Sequence, residues 1–81
     1  MARVSGKADS ERLLARLGDA VRAARMDRGI SQEALADAAA IDRSHLGKIE
    51  RGERNISLLN LIRVAAALGI KASALLDRAR L

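Results

Sequence analysis

Cysteine is absent from this chain, and so are phenylalanine, tyrosine and tryptophan. Without cysteine there is no disulfide and no thiolate metal site, and the redox compartment is left open. The single histidine, His45, therefore has no ordinary zinc partner. Without aromatic rings, an 81-residue chain must build its core from Leu, Ile, Val and Ala. Such a core is modest, and association is a further source of stability. No apolar run approaches the roughly 18 residues of a membrane span. The N-terminus lacks the apolar centre of a secretory signal, so the expectation is a cytoplasmic protein with no membrane partner. A carboxylate pair, a metal-ligand set and a glycine-rich phosphate loop are all missing from any suitable context. No cofactor, no metal, no small-molecule substrate and no enzymatic activity are expected.

What the chain does have is positive charge. Fifteen Lys and Arg against ten Asp and Glu give a net charge of +5, with an isoelectric point near 11.1. That balance favours an acidic partner, nucleic acid ahead of membrane. A merely solvated basic surface is the plainer alternative. The length accommodates one domain.

The charge is organised in the stretch from Gln32 to Gly52, QEALADAAAIDRSHLGKIERG. At 3.6 residues per turn, Leu35, Ala36 and Ala39 form one inward stripe and Leu46 and Ile49 another, with Ile41 at the corner. Arg43, Ser44, Gly47, Lys48 and Arg51 fall together on the outward face of the second segment. Two helices this short cannot each bury a face alone, so they must wedge against one another and a third element. A buried inner face opposite a basic outer face, offered at a corner, is a helix-turn-helix arrangement.

The rest of the chain reads as further short helices. Residues 1–9, MARVSGKAD, lack periodicity and read as a flexible basic arm, either without function or reaching phosphates or a minor groove. Residues 10–81 form the helix-turn-helix domain. Ser10 is the expected cap of a first helix with Glu11 in its first turn. Leu14, Leu17, Val21 and Ala24 give that helix an apolar face to about Arg28, Gly18 weakens it, and Gly29 stops it. Ser31 caps a second helix from Gln32 to about Ala39, and Asp42 a third from Arg43 to about Arg51, ended by Gly52. Ser57 caps a fourth with Leu58, Leu61, Ile62, Ala65 and Leu68 inward and Gly69 as its stop. Ile70 and Leu75 anchor a last helix to about Arg78. The expected fold is all-α, five short helices around one core.

On a helix entering the major groove, Arg43 can bond guanine O6 and N7 together, and Ser44 can donate or accept at base edges. Lys48 and Arg51 lie one and two turns on, within reach of bases or phosphates. Gly47 lets the helix approach the groove closely. Ser31 and Gln32 open the second helix, where free backbone N–H groups can meet a phosphate. Asn55 and Ser57 lead into the fourth helix and form either a phosphate seat or only a turn and cap. Arg54 reaches a flanking base or phosphate. Asp42, Ser44 and His45 are the residue types of a catalytic triad, but neighbours on a helix do not face one another.

The segment resembles the helix-turn-helix of phage Cro and repressor proteins and related bacterial (XRE-like) regulators, over roughly Leu13 to Asp77. Gln32, the small Ala36 at the helix crossing and the IERG ending (Ile49, Glu50, Arg51, Gly52) match that family. Ala40 departs from it, since glycine is usual at the turn and alanine enters the left-handed region only at a cost. The run DRSHLGKIERGERNIS is most similar to restriction–modification controller proteins; a prophage-type repressor or an antitoxin stays open. The resemblance implies that Gln32 bonds the DNA backbone and braces the third helix. It also implies that Arg25 and Glu50 pair partly buried, and that His45 lies near the DNA, at the groove edge or partly buried. The implied partner is double-stranded DNA, bound at a palindromic operator by a homodimer. Ile70, Leu76 and Leu81 are the candidate interface, or simply close the core. The rival from another class is a basic helical module that binds an acidic protein or a membrane.

Overall fold

A core of aliphatic side chains alone can be close-packed only if its helices approach closely, and alanines on the facing sides permit this. In the computed structural model, which describes residues 9 and 11–81, Val21, Leu35, Leu46, Val64 and Leu75 are wholly shielded from solvent. Ala20, Ala24, Ala36, Ala39 and Ala65 are buried among them. Among the described residues the elements are five helices: α1 Leu13–Asp27, α2 Gln32–Ala39, α3 Arg43–Glu50, α4 Leu58–Ala67 and α5 Ala72–Arg78. Their principal contacts run in a circuit that differs from chain order: α1 on α3, α3 on α2, α2 on α4, α4 on α5, and α5 back on α1. No single described helix is long and apolar enough to cross a membrane.

Local chemistry sets most of the boundaries. Ser31 Oγ accepts from the Ala34 N–H at 3.0 Å, Asp42 from the His45 N–H at 3.3 Å, and Ser57 Oγ from the Asn60 N–H at 3.1 Å. Each satisfies an N–H that the first helical turn leaves without a partner. The start of α1 differs from expectation. The helix begins at Leu13, and the Asp9 carboxylate accepts from the Leu14 N–H at 2.6 Å; the expected cap, Ser10, and residues 1–8 of the expected arm lie outside the described residues. Ala40 does occupy the left-handed region, at φ 58°, and closes the turn between α2 and α3.

Two further expectations are corrected by packing. Leu58 and Ile62 do not face inward: they are 72% and 49% exposed, and the neighbouring Leu59 is 56% exposed. The inward face of α4 is Leu61, Val64, Ala65 and Leu68. This helix is apolar on nearly every side, so periodicity alone could not choose its buried stripe. Gly18 is not merely a weak point of α1. A β-carbon there would lie 2.5 Å from the Glu50 carbonyl oxygen and as near to that of Ile49. The backbones of α1 and α3 touch at this point, and only glycine fits. Gly52, just past α3, is pressed in the same way, its missing β-carbon 2.6 Å from Ala15 Cα.

Gly18→Ala sets helix propensity, which favours alanine by about 1 kcal/mol, against a clash with backbone atoms that cannot swing aside. The clash prevails, and urea unfolding should show a net loss of about 1–3 kcal/mol. Equal or greater stability would contradict the backbone contact.

Candidate nucleic-acid interface

The orientation of α3 is set by a carboxylate at its last turn. Glu50 is the buried charged residue of the described chain, its side chain 2% exposed. Left alone there, it would incur a desolvation cost of several kcal/mol. It is instead gripped from two other elements. Arg25 of α1 donates Nε to Oε2 at 2.8 Å and Nη2 to Oε1 at 3.1 Å, a two-pronged ion pair. Gln32, the first residue of α2, donates Nε2 to Oε1 at 3.0 Å. The remaining Arg25 Nη1 donates to the Ile30 carbonyl at 3.0 Å, in the α1–α2 connection. Three helices are thereby tied at one point.

With its inner face so anchored, α3 turns a cationic face outward. Gln32, Arg43, Ser44, Gly47, Lys48 and Arg51 line one shallow groove. Arg43, Ser44 and Arg51 are exposed, Lys48 is half-buried, and Gly47 forms the floor. On the other flank of α3, His45, Arg54, Asn55, Ser57 and Asn60 line a second depression at the N-terminus of α4. Ser31 is exposed at the N-terminus of α2. The expected residues thus fall into two groups, one on each side of the helix, and each group includes a helix N-terminus with unpaired N–H groups.

Charge is tuned along this face. The Ser44 hydroxyl donates to the Asp42 carboxylate. That hydrogen bond, followed by the one from the His45 N–H, holds the Asp42 carboxyl below the usual carboxylate range. The Ser44 hydroxyl proton is therefore committed within the protein, and the oxygen is left to accept. Arg51 Nε donates to Glu53 Oε2 at 2.6 Å. This bond holds the Glu53 carboxyl down and pushes the Arg51 guanidinium up. Glu53 and Asn60 were missed by sequence reasoning. An acid two residues after an arginine carries no helical signal once the helix has ended. Asn60, three residues after a capping serine, was legible as a first-turn position.

Of the residues named for association, Ile70 and Leu76 are half-buried and packed against the core. Leu81 is exposed. The large apolar residues left in solvent include Leu58, Leu59 and Ile62 on one side of α4.

The helix-turn-helix family matches residues 21–75, from mid-α1 into α5. The chain belongs to this family. A hypothetical transcription factor of Neisseria meningitidis serogroup B is 41% identical over 68 residues, 84% of this chain and 64% of that protein. This helix-turn-helix chain therefore spans just under two thirds of that relative. The control protein C.SmaI of Serratia marcescens is 40% identical over 62 residues, 76% of this chain and 74% of the relative. Among solved structures, the restriction-modification controller protein C.AhdI from Aeromonas hydrophila superposes with a TM-score of 0.76 at 44% identity, covering 76% of this chain and 94% of that one. These relatives are named as regulators and controllers, not as enzymes.

Glu50→Ala leaves Arg25 without its carboxylate in a site only 13% exposed. Removing one member of a buried pair costs about 3–5 kcal/mol, a large share of the stability of a small domain. Thermal melting should show a marked drop, with DNA binding lost alongside; an unchanged melting temperature would contradict the anchoring role.

Proposed function

We propose that this chain is a sequence-specific transcriptional regulator of the restriction–modification controller type, which binds a palindromic DNA operator as a homodimer. The observation that carries the reading is the two-sided arrangement around α3. An eight-residue helix with an open cationic face is flanked on each side by a helix N-terminus, that of α2 on one and that of α4 on the other. When α3 lies in the major groove, these two termini stand over the phosphate ridges bordering it. Free N–H groups there favour an anion. Ser31 and Gln32 serve one ridge, and His45, Asn55 and Ser57 the other. Between them Arg43, Ser44, Lys48 and Arg51 face the bases, with Arg54 reaching the flank, and Gly47 lets the backbone come close.

One helix of this length spans few base pairs, and pairing two copies places their reading helices in successive major grooves about 34 Å apart. The outer side of α4, where Leu58, Leu59 and Ile62 meet solvent, is the surface that supports such pairing. Ile70 and Leu76 pack partly against the core and keep some surface, and Leu81 is exposed. An apolar face on the same element in both copies suits a two-fold contact, in which each copy offers the same patch.

Selection from random duplex DNA should enrich a two-fold symmetric motif. Arg43→Ala should relax one base position per half-site and cost about 1–3 kcal/mol there, whereas Asn55→Ala should weaken all sequences alike. Enrichment of no motif would favour the basic interaction module instead. In sedimentation at micromolar concentration, the parent chain should be a dimer and Leu59→Glu a folded monomer. A strictly monomeric parent would overturn the homodimer.

A further inference from the structure

One edge of the Arg51 guanidinium is already engaged. Its Nε donates to Glu53 at 2.6 Å, while Nη1 lies over Gly47, 3.2 Å from where a β-carbon would stand. Gln32 Oε1 borders the same spot at 3.6 Å. Arginine gripped through Nε keeps its Nη donors free, and those donors match guanine O6 and N7 or a phosphate. The absent side chain of Gly47 supplies the space in which they lie. Both partners are more than half exposed, and exposed pairs of this kind add little to stability. What the pair does is hold a long, rotamer-rich side chain in one orientation at the rim of the groove. The carboxylate also stands on the face that must approach phosphates, where a negative charge opposes binding irrespective of sequence.

We propose that Glu53 is a positioning residue for DNA selectivity: it aims the Nη edge of Arg51 at a base and lowers affinity for unselected duplex. The inference rests on the DNA-binding reading above and assigns to an acidic side chain a part in what its cationic neighbours select.

Glu53→Gln, in the full chain, keeps the side-chain size and removes the charge. Binding is measured by fluorescence anisotropy on the duplex enriched by the parent chain and on random-sequence duplex, across a range of salt. The variant should bind random duplex several-fold more tightly, with a salt slope steeper by about one. Its preference for the enriched duplex should fall about threefold, in keeping with an exposed ion pair, with base preference relaxed at one position per half-site. In an Arg51→Ala background, the same change should leave base preference untouched. NMR of the free protein provides a readout independent of DNA, since the Arg51 Nε–H should exchange with water faster in Glu53→Gln. If the parent chain enriches no motif, the regulator reading falls and the positioning role with it. If it enriches a motif that Glu53→Gln reads equally well, the positioning role alone is overturned.

Discussion

The structure depends on a charge placed where a small core can least accommodate it. Glu50 is buried at the junction of α1, α2 and α3, and its two oxygens receive three donated hydrogen bonds, two from Arg25 and one from Gln32. Burial of this kind is weak as a source of net stability, because desolvation offsets attraction. It is strong as a constraint on geometry, because any rotation of α3 about its axis would strand a carboxylate away from water. Arg16 of α1 and Arg28, the residue that caps its C-terminus, extend the principle. Arg28 donates to the Leu68 carbonyl at the end of α4 at 2.8 Å, and Arg16 to the Ala79 carbonyl at the end of α5 at 3.2 Å. Both meet carbonyls that a helix end leaves without an intrahelical partner. In a chain without aromatic rings, aliphatic packing provides most of the cohesion, and these polar ties from one helix set the angles.

How much of this could be read from the residues depended on whether the signal was local. The caps Ser31, Asp42 and Ser57 and the stops Gly29, Gly52 and Gly69 act on their own neighbours, so the limits of α2, α3 and α4 were legible to within a residue. The outward face of α3 was legible too, since Leu46 and Ile49 mark its inner side, although Glu50 is a polar residue on the buried side. The buried face of α4 was not legible. Leu58 and Ile62 lie on a helix with leucine, isoleucine, valine or alanine at most positions, and only the neighbouring helices decide which side is covered. Gly18 was misjudged for a related reason: a glycine in a helix looks like a defect until the opposing carbonyls are in view. The beginning of α1 depends on Asp9, five residues from the N–H it accepts, a reach outside the usual capping spacing. The pairing of Arg25 with Glu50 came from family resemblance, since 25 residues separate the two.

The candidate interface combines attraction with restraint. Cationic side chains line the groove beside α3, and two helix termini stand at its flanks, yet two carboxylates occupy the same face. Asp42 ties down the Ser44 hydroxyl at one end of α3, and Glu53 holds Arg51 at the other. On the proposed DNA-binding reading, each exchanges some general affinity for order among the groups that face the duplex. A surface made only of lysine and arginine would bind any duplex, and discrimination requires fixed donors and some repulsion.

The circuit of helix contacts also bears on when the protein becomes competent during its synthesis. The ribosome delivers α3 before α4 and α5, yet α2 leans on α4, and α1 rests on α5 as well as on α3. Leu75, wholly enclosed, belongs to the last of these helices to emerge. A nascent chain that has exposed α3 still lacks α4 and α5, on which α2 and α1 rest. The enclosure of α1 and α2 is thus completed only when α5, the last of the five described helices, has emerged and docked.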